Sequence, residues 1–129
     1  GTYEVYASCG RTPTGRDPVS WAREAEERGT GEILITSIDH DGYLQGYDLE
    51  LCRAVSDAVD LPVLILGGAG NWNHFLAGFN EGHASAVCTQ NIYHFTTQIL
   101  LDTQLLQICQ KIAILISRGK NTLALIMMN

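Results

Sequence analysis

No two cysteines in this chain stand at the C-x-x-C spacing of a zinc or redox motif. Cys9, Cys52, Cys88 and Cys109 are scattered along 129 residues. That spacing argues against a shared zinc site and for small, reduced core residues, as in a cytoplasmic protein. The histidines His40, His74, His83 and His94 show no i, i+4 pairing on one helix. Packing is their expected role, and neither a metal nor a cofactor is expected. Basic residues are in deficit: 8 Lys and Arg face 14 Asp and Glu, for a net charge of −6. With no basic stripe, nucleic-acid binding is not expected. No secretory signal pattern opens the chain. The apolar runs Ile112 to Ile116 and Leu123 to Met128 are too short to span a bilayer, so no membrane partner is expected.

What is present fits one globular domain or a piece of one. Hydrophobic residues make up 46% and charged residues 17%, and the length suffices to bury a core. The chain opens on Gly1 rather than Met, as expected of a processed product or a fragment.

The stretch Leu61 to Asn73, LPVLILGGAGNWN, organises the rest. An apolar run ends in Gly67-Gly68-Ala69-Gly70, and a helical pattern starts at Asn71. That is a strand, a glycine turn and a helix N-terminus. Glycines let backbone approach a ligand closely, and a helix start offers unpaired N–H groups that suit phosphate. The competing reading is a plain turn.

Around it the chain alternates. Tyr3 to Ala7 predict a strand, one arm of a hairpin, and Cys9 to Gly15 a loop. Asp17-Pro18 starts a helix that runs to about Arg28, with Trp21, Ala22 and Ala25 on its apolar face. The run Glu24, Glu26 and Glu27 reads as a solvated helix face. Glu32 to Ser37 predict a strand buried on both faces, and Ile38 to Gly46 a polar loop. Asp48 caps a helix carrying Leu51, Cys52, Val55, Ala58 and Val59 at helical spacing. Asn71 caps the next, with Phe75, Leu76 and Phe79 inward. Ala84 to Thr89 predict a further strand containing Cys88, and Gln98 to Ser117 a last helix. Thr122 to Met128 are apolar and strand-like, and sticky if left exposed. A strand–helix repeat of this length is the signature of an α/β fold with a parallel sheet, in which ligands sit at the carboxyl ends of the strands.

The runs GEILITSIDHDG (Gly31 to Gly42), GYDLELCRAVSDAV (Gly46 to Val59), LPVLILGGAGN (Leu61 to Asn71) and IYHF (Ile92 to Phe95) together resemble the cyclase subunit of imidazole glycerol phosphate synthase. That family is a TIM barrel of histidine biosynthesis. The cyclase-like proteins of lipopolysaccharide amino-sugar synthesis share much of the pattern. The resemblance implies the C-terminal half of a TIM (β/α)8 barrel, about three parallel βα units preceded by a hairpin arm. Residues 1–17 would be the arm and loop, 18–95 the βα units, and 96–129 the final helix and apolar tail, all one half-barrel domain.

The family's function would follow. The whole enzyme, a lyase, uses ammonia from a glutaminase partner to turn a phosphorylated ribotide into imidazole glycerol phosphate and aminoimidazole carboxamide ribotide. Its two acid–base aspartates lie at the ends of the first and fifth barrel strands. Neither position is in this chain, and Asp39 and Asp41 are a different pair. The chain alone is therefore expected to be inactive. By resemblance, Asp41 and Gly42 contact substrate; Gly67 and Gly68, with Gln90 and Asn91, form a phosphate site; and Glu32 sits at the ammonia gate. Leu66 stands where the family has a small polar Ser, and Gln90-Asn91 where it has Ala-Ser. Expected partners are a glutaminase subunit, the ribotide, and the missing N-terminal half-barrel or a second copy, with the apolar tail as seam. The alternatives are a cyclase-like protein of lipopolysaccharide sugar synthesis and a non-catalytic, phosphate-binding half-barrel.

Overall fold

Each helix begins where a side-chain oxygen replaces a missing backbone partner. In the computed structural model, residues 3–89 are described in full and residues 123–128 by their backbone. The elements in chain order are β1 (Val5–Ala7), β2 (Thr12–Pro13), α1 (Pro18–Glu27), β3 (Glu32–Ser37), α2 (Leu49–Ser56), β4 (Val63–Leu66), α3 (Trp72–Asn80), β5 (Ala86–Val87) and β6 (Leu123–Met128). Asp17 accepts from the Ser20 N–H at 2.8 Å, Asp48 from Leu51 at 3.1 Å, and Asn71 from Asn73 at 2.9 Å. All three caps stand where the sequence predicts them, and such a cap stabilises by about 1 kcal/mol.

The sheet order is β2-β1-β6-β3-β4-β5. β3, β4 and β5 pair in parallel, with Ile33 beside Val63 and Leu64 beside Ala86, as the strand–helix rhythm predicts. β1 and β2 form the expected hairpin, but its second arm, Thr12–Pro13, lies inside the stretch Cys9 to Gly15 predicted as a loop, where it pairs with Tyr6 and Ala7. The tail adds what was not foreseen. β6 lies between the two groups, parallel to β3 from Glu32↔Leu123 to Ser37↔Met128 and antiparallel to β1. The parallel set thus has a fourth strand, and the backbone of the tail is paired inside this sheet.

Ile33, Ile35, Val63, Ile65, Leu51, Val55 and Phe75 form the core, each at most 1% exposed. Burying one such side chain contributes roughly 1.5–3 kcal/mol. Burial of β3 on both faces is met in part: Ile33 and Ile35 on one face and Thr36 on the other are buried, whereas Leu34, and Leu64 and Leu66 on β4, stay half-buried. The in-register pairing Leu34↔Leu64 sets these apolar side chains side by side on the other face.

Three local expectations change. α2 ends at Ser56, so Ala58 and Val59 lie beyond it. The Ala58 N–H turns back to Val55 rather than to residue 54, and Pro62 keeps Leu61 out of helical conformation. β5 is only two residues long, and Cys88 lies just past it, although its N–H still reaches the Ile65 carbonyl at 2.7 Å. The glutamates of α1 are not simply solvated. Glu24 pairs with Arg16 and Arg28, and Glu26 accepts the Asp60 N–H at 2.8 Å. The predicted helix 98–117 and the IYHF run lie outside the described residues. Among the described residues no helix is long and apolar enough to cross a membrane.

Candidate functional site

Pairing Thr36 with Leu66 brings the carboxyl ends of β3 and β4 level, so the segments that follow must meet. After β3 the chain turns tightly: the His40 and Asp41 N–H groups return to the Ser37 carbonyl, and Tyr43 to His40. After β4 come the glycines. The two loops are joined by a 2.8 Å hydrogen bond from the Gly46 N–H to the Gly68 carbonyl. They lie so close that a Cβ on Gly68 would stand 2.1 Å from the Gly46 oxygen, and one on Gly70 2.1 Å from the Leu44 oxygen. Gly68 also has φ +97°, and Leu44, a non-glycine, has φ 59°. These glycines are therefore required by loop packing, whatever else they do.

Where the loops meet there is a cavity of about 70 Å³, lined by Asp41, Gly42, Leu44, Leu66, Gly67, Gly68, Ala69 and Thr89. Four of the residues singled out in the sequence, Asp41, Gly42, Gly67 and Gly68, thus share one small space. Pockets that enclose a whole small ligand measure roughly 300–1,000 Å³, so this one suits a single group at one end of a ligand. Gln90 and Asn91 lie outside the described residues; Thr89, their neighbour, lines the cavity. Glu32 is at the opposite end of β3, about 16 Å away along the strand, and is not part of the cavity.

The start of α3 differs from the open anion site expected of a helix N-terminus. Asn71 Oδ1 already accepts the N–H groups of Asn73 and His74, and the Gly70 N–H donates to His74 Nδ1 at 3.0 Å. An anion in the cavity would therefore meet the backbone of the glycine turn rather than these donors. The carboxylate of Asp41 lines the same space, so an anion can be accepted only on the side away from it.

Behind the loops stands Asp48, 8% exposed. Its carboxylate accepts from the Tyr3 hydroxyl at 2.9 Å, the Ser37 hydroxyl at 3.2 Å and the Leu51 N–H at 3.1 Å. Partial burial, this hydrogen bond and the negative charges of Asp48 and Glu50 push the Tyr3 phenol well above its ordinary pKa. The Tyr47 hydroxyl donates to the Cys88 carbonyl at 2.9 Å, tying the start of α2 to the end of β5. Burial raises the Cys88 thiol too, so it is protonated at neutral pH and a poor nucleophile.

Sequence reasoning passed over Leu44, Ala69 and Thr89 as lining residues, and Tyr3 and Asp48 as a partly buried pair 45 positions apart. The signal for Leu44 was its place inside the Ile38 to Gly46 loop. Nothing in the sequence joined Tyr3 to Asp48. His40 and His74 act locally, on Gly46 and Gly70, while His83 meets Asp57, 26 positions away, at 2.7 Å. His94 lies outside the described residues.

Two comparisons bear on this arrangement. The sequence model of the family described as "Histidine biosynthesis protein" matches residues 1–98. Imidazole glycerol phosphate synthase subunit HisF of Acidobacterium capsulatum is 58% identical over 92 residues, which are 71% of this chain and 36% of that protein. The chain thus spans about a third of the length of the relative it matches.

Proposed function

The chain belongs to the family of histidine biosynthesis proteins, and we propose that it forms the C-terminal half of a TIM-barrel cyclase that makes imidazole glycerol phosphate. The observation that carries this reading is the convergence of Asp41, Gly42, Gly67 and Gly68 on one cavity at the carboxyl ends of parallel strands, in a chain so similar to a HisF subunit. In barrels of this kind the loops after the seventh and eighth strands commonly hold phosphate.

In this reading Gly67 and Gly68, with Gln90 and Asn91, hold one phosphate of the ribotide, and the cavity volume suits that single group. Asp41 and Gly42 face a hydroxyl-bearing part of the substrate, where a carboxylate is an acceptor rather than a repelling charge. Glu32, at the far end of β3, lies on the ammonia path from a glutaminase subunit. The half-buried Leu34, Leu64 and Leu66 present the face that the other half of the barrel would cover. The acid–base aspartates belong to that other half, and opposed carboxylates are what the proton transfers need. This chain orients the substrate, and the working place of the assembled enzyme is the cytoplasm.

A second reading, a non-catalytic phosphate-binding half-barrel, is favoured by β6. Its pairing along β3 takes the sheet position that a preceding barrel strand would occupy.

Ammonia-dependent turnover of the ribotide separates the two. The 129-residue chain is expected to be inactive alone and active when mixed with the N-terminal half-barrel of a relative. Turnover by the chain alone would overturn the half-enzyme reading. Phosphate binding without turnover in the mixture would establish the second.

A further inference from the structure

The loop after β3 carries a histidine whose ring is turned back onto its own loop. His40 Nδ1 lies 3.0 Å from the Gly46 carbonyl oxygen. A carbonyl only accepts, so Nδ1 carries the proton in this contact. Gly46 also donates its N–H to the Gly68 carbonyl at 2.8 Å. The two peptide groups flanking the Gly46 Cα are thus pinned from different sides, one by His40 and one by the glycine turn. Gly46 has φ +118°, and a glycine there has more alternative conformations to lose than any other residue. On its other edge the ring meets the start of α2, with Nε2 at 3.8 Å from Asp48 Oδ2. Asp48 is itself fixed by Tyr3, Ser37 and Leu51. The His40 ring thus lies between the buried carboxylate and the loop, and its hydrogen bond is to the loop.

We propose that His40 is a positioning residue for the glycine turn at Gly67 and Gly68. It is not among the residues lining the cavity. By holding Gly46 it holds the Gly68 carbonyl, and with it the peptide planes that face the cavity. The proposal rests on the reading of that cavity as a phosphate site.

The test uses the full chain and inorganic phosphate as the probe. Phosphate affinity is measured by calorimetry, and exchange of the Gly46 amide proton by NMR, for the unsubstituted protein, H40A and H40N. The Asn side-chain nitrogen is as many bonds from Cα as His Nδ1 and restores the donor. H40A is expected to speed Gly46 exchange and weaken phosphate binding by about fivefold each, the effect of one hydrogen bond. H40N should recover most of both. Should H40A not fold, H40L, which fills the ring's space without a donor, takes its place. Unchanged phosphate affinity in H40A overturns the proposal, as does an H40N protein as weak as H40A. Absence of phosphate binding in the unsubstituted protein, with Gly46 exchange still faster in H40A, overturns the phosphate reading of the cavity and with it the positioning role, while the loop contact itself stands.

Discussion

The hydroxyl of Tyr3 donates to the carboxylate of Asp48 across 2.9 Å, tying the residues before β1 to the first turn of α2. Tyr3→Phe removes this bond and leaves the ring in place. A hydrogen bond to a charged group contributes about 1.5–3 kcal/mol, less here because Tyr3 is only partly buried. A loss of about 1 kcal/mol in the free energy of unfolding is therefore expected, read from the shift of the urea midpoint.

The same pair sets an alkaline limit. The Tyr3 phenol is raised from its ordinary value of 10.0 by partial burial first, then by Asp48. The folded protein thus holds this proton more tightly than the unfolded chain. The stabilisation is complete below about pH 10 and is lost as pH rises beyond it. Unfolding measured from pH 8 to 11 should show a decline above pH 10 that is smaller in the Tyr3→Phe protein. An identical decline in both would refute the assignment.

Asp48→Ala should be the more damaging substitution. It removes the N-cap of α2 and leaves the Tyr3 and Ser37 hydroxyls without their acceptor. Adding a cap of about 1 kcal/mol to two hydrogen bonds of similar size gives a loss near 3 kcal/mol. In a double-mutant cycle with Tyr3→Phe the two effects should be non-additive, because they share a partner.

Gly68→Ala and Gly42→Ala separate crowding from backbone strain. Both glycines have positive φ, but a Cβ on Gly42 meets nothing within 4 Å, whereas one on Gly68 meets the Gly46 oxygen at 2.1 Å. Gly42→Ala should cost about 1 kcal/mol from φ alone. Gly68→Ala should cost at least about 3 kcal/mol or prevent folding, since backbone must move. Equal midpoints for the two would contradict the close approach of the loops.

The thiols should react in a set order. Cys9 is exposed, whereas Cys52 is buried and pushed up to about 11, chiefly by burial. Alkylation of the native protein at pH 8, read by peptide mass, should label Cys9 and spare Cys52 until denaturant is added.

The sequence made the local rules legible. Asp17, Asp48 and Asn71 announced their helices because a cap acts over two or three residues, and LPVLILGG announced a strand running into a turn. What it hid was set at long range. Whether a helix start is open to an anion depends on the reach of Asn71 and His74, and spacing alone does not decide that. Half-burial of Leu34 depends on which strand lies beside β3 and what lies over it. β6 was visible as an apolar, strand-like tail, but its place between β1 and β3 is a matter of topology, which composition does not carry. Of the candidate site, the glycines and Asp41 were legible because two loops after adjacent parallel strands are bound to meet.

The seat of β6 also has a consequence for the order of assembly. Among the described residues of the sheet, the hairpin β1–β2 reaches the parallel strands only through β6, so residues 5–13 join them only once residues 123–128 are in place. During synthesis β3, β4 and β5 can pair in turn, while the hairpin is tied to them through the Tyr3–Asp48 contact until β6 is made. Pairings of such high sequence separation slow folding, and a ribosome holding the tail in its exit tunnel would hold the sheet in two pieces.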